Sequence, residues 1–154
     1  MSDRELTHVD EQGRVQMVDV GAKEPMRREA VAQGRFHAPG FLLDRLMAGD
    51  LPKGEALATA RIAGIQAAKK CDELIPLCHS LPLDGVAVSF SRENETTVVI
   101  EATSMITAKT GVEMEALTAV SVAALTLWDM SKAVSRDLRI SDIELISKTK
   151  TAVS

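Results

Sequence analysis

Apolar and polar positions along this chain fall into a few distinct rhythms. Residues 14–20, RVQMVDV, read as a short strand, and residues 27–38, RREAVAQGRFHA, as a second, with Pro25 between them. The segment PGFLLDRLMAGD opens on a proline and ends at Gly49, as a short helix with a glycine stop does. Residues 53–70, KGEALATARIAGIQAAKK, place Leu57, Ala60, Ile62, Ala63, Ile65 and Ala67 among polar groups. They predict a helix whose C-terminal end is favoured by Lys69 and Lys70. Pro76 and Pro82 forbid a helix in residues 74–85, LIPLCHSLPLDG, which become an extended apolar loop.

GVAVSFS and ETTVVIEATS flank Arg92, Glu93 and Asn94 and predict a β-hairpin turning there. A long helix is expected from Val112 to about Arg136. LRISDIELISKT then supplies a last strand, through Leu138, Ile140, Ile143 and Leu145. From residue 39 the order is helix, helix, strand, strand, helix, strand. This predicts an α+β fold, an antiparallel sheet with helices packed on one face, preceded by a flexible segment over residues 1–12 and forming one domain over 13–154. The long helix is apolar nearly all round, so it needs cover on more than one side. One small sheet supplies one cover; the pattern predicts a second subunit for the other.

The 154 residues are 45% hydrophobic and 26% charged, with 3% aromatic and no tyrosine, so Ala, Leu, Val and Ile must build the core. A net charge of -4 argues against nucleic acid, whose binding needs a dominant positive field. The longest nearly apolar run, Ala116 to Trp128, is 13 residues, short of a membrane span. With no apolar stretch in MSDRELTHVDEQGR, a cytoplasmic protein is expected. Cys71 and Cys78 are too few for a disulfide scaffold. With His79 they lack paired metal-ligand spacing, so free thiols and no metal site are expected.

Asp129 and Lys132 interrupt the apolar run, three residues apart and therefore on one helix face. On the surface they would be an ordinary ion pair; in an apolar setting, burial and a neighbouring ammonium pull the carboxyl in opposite directions and suit it to proton transfer. Thr110 and Glu113 have the spacing of a capping box, which gives Glu113 a structural role. Glu115 has none. It precedes Asp129 by 14 residues, ~21 Å along a straight helix, so the two share a site only if the ligand is long or a second subunit contributes. His79 lies between prolines, and Lys53 sits at a helix start where the dipole disfavours a cation, a placement that suits phosphate binding.

The strings MVDV, KGEALATARIAGIQAAKK, LIPLCH and KTGVEMEALTAVSVAALTLWDMSKAV closely resemble the cyclic pyranopterin monophosphate synthase (MoaC) family of molybdenum cofactor biosynthesis. The resemblance runs from about Leu6 to Thr149. It implies a ferredoxin-like fold assembled as a homohexamer of three dimers. It also implies a lyase activity, conversion of 3',8-cyclo-7,8-dihydro-GTP to cyclic pyranopterin monophosphate with release of pyrophosphate. Position by position, the catalytic aspartate falls on Asp129 and the lysines on Lys132 and Lys53. The substrate contacts fall on Leu77, Cys78, His79, Met114 and Glu115 with Glu113 adjacent, and the phosphate-binding cations on Arg28 and Lys148. Ser80, Trp128 and Ser131 stand where the family commonly has proline, tyrosine and cysteine. The tail KTKTAVS replaces a common Gly-Gly-Lys-Ser-Gly sequence.

No cofactor is evident in the sequence, a divalent metal accompanying the triphosphate is left open, and sites shared between subunits are expected in a hexameric assembly. Two rivals are kept open by the residues themselves. One is a non-catalytic oligomeric nucleotide- or pterin-binding module, in which Asp129 and Lys132 affect assembly or stability and there is no turnover. The other makes Lys132 or Lys53 a Schiff-base nucleophile.

Overall fold

The computed structural model describes residues 6–154. Its elements are β1 (Met26–His37), α1 (Gly40–Met47), α2 (Ala56–Lys69), α3 (Cys71–Leu74), β2 (Gly85–Asn94), β3 (Thr97–Ala108), α4 (Glu113–Ser131) and β4 (Arg139–Thr151). The strands form one antiparallel sheet in the order β2-β3-β1-β4. The sequence order is thus β-α-β-β-α-β, with α1 to α3 in the first crossover and α4 in the second.

Alternation sets which face is buried. Ala30, Ala32 and Phe36 of β1 and Val98, Ile100, Ala102 and Ile106 of β3 point to the core, while Glu29, Gln33, Arg35 and Glu101 point away. Helices α4 and α2 pack on the apolar side. The α2 side facing inward is Ala56, Ala60, Gly64, Ala67 and Ala68, and α4 meets it with Ala119 and Ala123. Small residues let the two backbones approach: a Cβ on Gly64 would stand 2.9 Å from the Ala119 carbonyl oxygen. The alanine-rich composition is therefore a packing device for one helix pair.

That pairing supplies two covers for α4 within one chain, so its apolarity does not by itself require a second subunit. The sheet covers one side of the helix and α2 another, and Leu125, 59% exposed, is its large apolar residue left in solvent. Four expectations shift. Residues 14–20 are not a strand: Val15 bridges Val9, and the rest of the segment has no ladder partner. The hairpin turns at Glu95 and Thr96, because the Asn94 side chain accepts from the Thr96 N–H at 2.9 Å and Arg92–Asn94 stay in β2. Helix α4 ends at Ser131 rather than near Arg136, its last turn tightening as the Val134 N–H bonds Ser131. The short α3 directly after α2 was not expected from the pattern.

The capping box is not formed either. Val112 is the N-cap of α4 and no side chain caps it; the Glu113 carboxylate instead folds against Gly111, where a Cβ would collide with it. Of the segment expected to be flexible, residues 1–5 lie outside the described residues. Beyond them, Asp10 closes a turn by accepting from the Gln12 and Arg14 N–H groups, both at 2.9 Å.

Candidate functional site

Both ends of α4 carry chemistry, and each is built by a different loop. At the C-terminal end Asp129 projects from the last full turn and accepts from two ammonium groups. Lys132 Nζ stands 2.7 Å from Oδ1 and Lys53 Nζ 3.1 Å from Oδ2. Lys132 comes from the same helix three residues on. Lys53 comes from 76 residues away, on the turn Leu51–Gly54 that leads into α2. Pro52 presets that turn, the Gly54 N–H bonds the Leu51 carbonyl at 2.9 Å, and Gly54 itself adopts φ +106°, a conformation costly for any other residue.

A carboxylate at a helix C-terminus opposes the macrodipole, so the two cations are what hold it there. Asp129 is 55% exposed, Lys132 53% and Lys53 39%, so burial does not contest the ionised state. The Lys132 and Lys53 hydrogen bonds, with their charges behind them, keep the Asp129 carboxyl below the usual aspartate range. The balance between burial and charge expected for Asp129 is thus absent in this chain: it is a carboxylate, and proton donors stand on both of its oxygens.

The N-terminal end holds the opposite arrangement. A cavity of about 390 Å³ is lined by Leu77, Cys78, His79, Glu113, Met114 and Glu115, with Val18, Val20 and Lys23 on its other side. Glu115 is 3% exposed, and burial raises its carboxyl above the usual range, with the Glu113 charge adding to the effect. Burial thus favours the neutral form of this carboxyl. Cys78 is no nucleophile at neutral pH. Burial and the neighbouring Cys71, at an Sγ–Sγ distance of 4.0 Å, push its thiol up to about 12. The His79 Nε2 lies 2.7 Å from the Val18 carbonyl oxygen.

A second cavity, about 340 Å³, adjoins the first through Lys23, Thr110, Gly111 and Glu113. Arg28, Lys148 and Lys150 line it with Lys23, a concentration of cations suited to phosphate. The Arg28 guanidinium is fixed by donating to the Ala108 and Lys109 carbonyls at 3.2 and 3.3 Å. Lys148 Nζ is 3.7 Å from Glu113 Oε1, while Glu113 Oε2 is buried without a hydrogen-bond partner. Among the described residues, no group of three or more His, Cys, Asp or Glu side chains is placed to hold a metal ion.

The structure therefore brings Leu77, Cys78, His79, Glu113, Met114, Glu115, Arg28 and Lys148 to one pair of cavities. It brings Asp129, Lys132 and Lys53 together elsewhere. It does not join the two groups, because the intervening helix keeps Glu115 and Asp129 ~21 Å apart. Lys23, which lines both cavities, escaped the sequence reading. It follows a Gly-Ala pair in a loop, and no spacing rule marks such a lysine.

Comparison with known proteins adds the relatives of the chain. Residues 17–151 match the model of the MoaC family. The cyclic pyranopterin monophosphate synthase of Roseiflexus castenholzii is 59% identical over 150 residues, covering 97% of this chain and 94% of that protein. That of Pelotomaculum thermopropionicum is 52% identical over 145 residues, 94% of this chain and 85% of its own length. The Nostoc sp. protein of the same name is also 52% identical, with 94% and 86% covered. No described helix is long and apolar enough to cross a membrane.

Proposed function

This chain belongs to the MoaC family, and from that premise we propose that it is a cytoplasmic cyclic pyranopterin monophosphate synthase. It converts 3',8-cyclo-7,8-dihydro-GTP to cyclic pyranopterin monophosphate and pyrophosphate. Making a cyclic monophosphate from a triphosphate requires an oxygen nucleophile to lose its proton. It also requires the departing pyrophosphate to have its charge neutralised. Asp129, held ionised, is the proton acceptor, and Lys132 and Lys53 are the donors beside it. Arg28, Lys148 and Lys23 hold phosphate charge in the smaller cavity; a divalent cation accompanying the triphosphate would find Glu29 and Glu113 on the same walls. Leu77, Cys78, His79, Met114 and Glu115 orient the pterin and sugar.

The observation that carries this reading is the contact of one carboxylate with two ammonium groups from distant parts of the chain. A surface ion pair needs one partner; a group that must stay ionised while protons move next to it is served by two. The β-α-β-β-α-β order suits a ferredoxin-like fold. The ~21 Å between the two groups is accounted for by a homo-oligomer in which one subunit's cavities face another's Asp129, and the family resemblance makes that assembly a hexamer of three dimers.

Pyrophosphate release from the cyclic substrate is the test. Asp129→Asn and Lys132→Ala should each lower kcat by roughly 10²- to 10⁴-fold, the usual range for acid–base groups, with the parent's assembly state retained. Near-parental turnover in correctly assembled variants would overturn the assignment. A parent chain that binds substrate without releasing pyrophosphate would favour the binding-module rival.

A further inference from the structure

Apart from Lys23, the residues in and after the segment that failed to become a strand have no role in the proposed function. Residues 18–23 run past the larger cavity as a strap, with Val18, Val20 and Lys23 on its wall. The strap is shaped by two local bonds, the Gly21 N–H to Asp19 Oδ1 at 2.8 Å and the Lys23 N–H to the Val20 carbonyl at 3.1 Å. It is tied to the body of the protein at two points. Lys109 Nζ donates to the Gly21 carbonyl at 3.0 Å, and the His79 ring meets the Val18 carbonyl at 2.7 Å.

The second tie has a chemical consequence. A backbone carbonyl can only accept, so the proton in the short His79–Val18 contact must sit on Nε2. On a neutral imidazole one nitrogen donates and the other accepts, and the partner of the first decides the role of the second. Val18 is the ring's hydrogen-bond partner among the described residues. We infer that the Val18 carbonyl is a positioning group that locks His79 in its Nε2–H form, presenting Nδ1 as an acceptor to an N–H or O–H group of the ligand in the cavity. That ligand is the cyclic dihydro-GTP of the proposed function, on which this part of the inference rests. The lock itself does not depend on it. Glu115 lines the same cavity, and its burial favours the neutral carboxyl, which can donate where Nδ1 accepts. Such a pair suits an amide-like edge of a heterocycle, where an N–H neighbours a carbonyl. The strap thereby makes the wall selective for a hydrogen-bond donor facing His79.

Nitrogen NMR of the ¹⁵N-histidine-labelled full chain reads the tautomer directly at about pH 8, where histidine side chains are ordinarily neutral. His79→Gln identifies the signals against those of His8 and His37. The expected result is a pyridine-like Nδ1 and a pyrrole-like Nε2 for His79. An Nδ1–H form, or an averaged pair of forms, overturns the inference. Lys109→Ala frees the strap's other anchor. It should shift His79 toward averaged tautomers and raise KM for the cyclic substrate by roughly fivefold to tenfold, the loss of about one hydrogen bond. An unchanged His79 spectrum in that variant also overturns it. A locked ring in a parent chain with no pyrophosphate release would support the lock and count against the proposed function, so the two can fail separately.

Discussion

Asp129 and Glu115 are both carboxyl groups on α4, and their surroundings drive them in opposite directions. Asp129 is depressed by Lys132 first and Lys53 second. Its ion pairs therefore contribute fully above the ordinary aspartate value and fade as pH falls through the lower folded value. Carboxyl-detected NMR titration should find the Asp129 midpoint below that of an exposed aspartate. It should move upward in Lys132→Ala and by less in Lys53→Ala. A midpoint unmoved by either substitution would show that the contacts do not persist in solution. Glu115 is raised by burial, so its sign is reversed: it costs stability as pH rises past the ordinary glutamate value, and the cost levels off above its folded value. Glu115→Gln should accordingly stabilise the chain at pH 7 by on the order of 1 kcal/mol in urea unfolding while losing activity, as a strained functional group does. A destabilised Glu115→Gln chain would mean that the charged carboxylate has a partner after all.

At the scale of elements, the close approach of α2 and α4 depends on small residues. At Gly64 the Ala119 carbonyl and the Val88 side chain are 2.9 and 3.2 Å from where a Cβ would lie. Helix propensity alone would make Gly64→Ala stabilising by up to ~1 kcal/mol. The obstacle at 2.9 Å is backbone, which cannot rotate away, so overpacking should win and the variant should lose about 1–3 kcal/mol in denaturant midpoint experiments. A stabilised variant would mean that the helices have room to separate. This contact also shows what the pattern of residues could and could not convey. The α2 helix was legible from its periodicity, yet Ile62, one of the apolar positions that marked it, is 58% exposed while Gly64 is buried. Hydrophobicity marks a helix, but backbone proximity picks small residues, and no single-residue scale records that. The strand expected over residues 14–20 failed for a related reason. Alternation is a property of the segment, whereas a strand also needs a partner, and among the described residues only Val15 of this stretch finds one, in an isolated bridge to Val9.

For the molecule as a whole, the candidate site was legible as two short motifs but not as one place. Asp129 and Lys132 were joined by helical spacing; Lys53 was joined to them by a fold that closes 76 residues of chain. Likewise the prolines isolated His79 as a loop residue, and the sheet then set that loop beside Glu115, with Lys23 brought in by a strap that carries no motif. The remaining gap between the two groups is a matter of length, since a rigid helix of 19 residues separates them. If two-fold pairing of subunits sets the cavities of one chain against Asp129 of another, each site is built from two different chains. In an isologous dimer of Glu115→Gln with Asp129→Asn, one of the two sites then receives both native halves and the other receives neither. Chains co-expressed in equal amounts pair at random to give half mixed dimers, so pyrophosphate release should return to about a quarter of the parent's rate. If each site instead lies within one chain, every site in the mixture carries one lesion. Turnover then stays at the level of the separate variants, and the assignment of the two groups to a shared site falls.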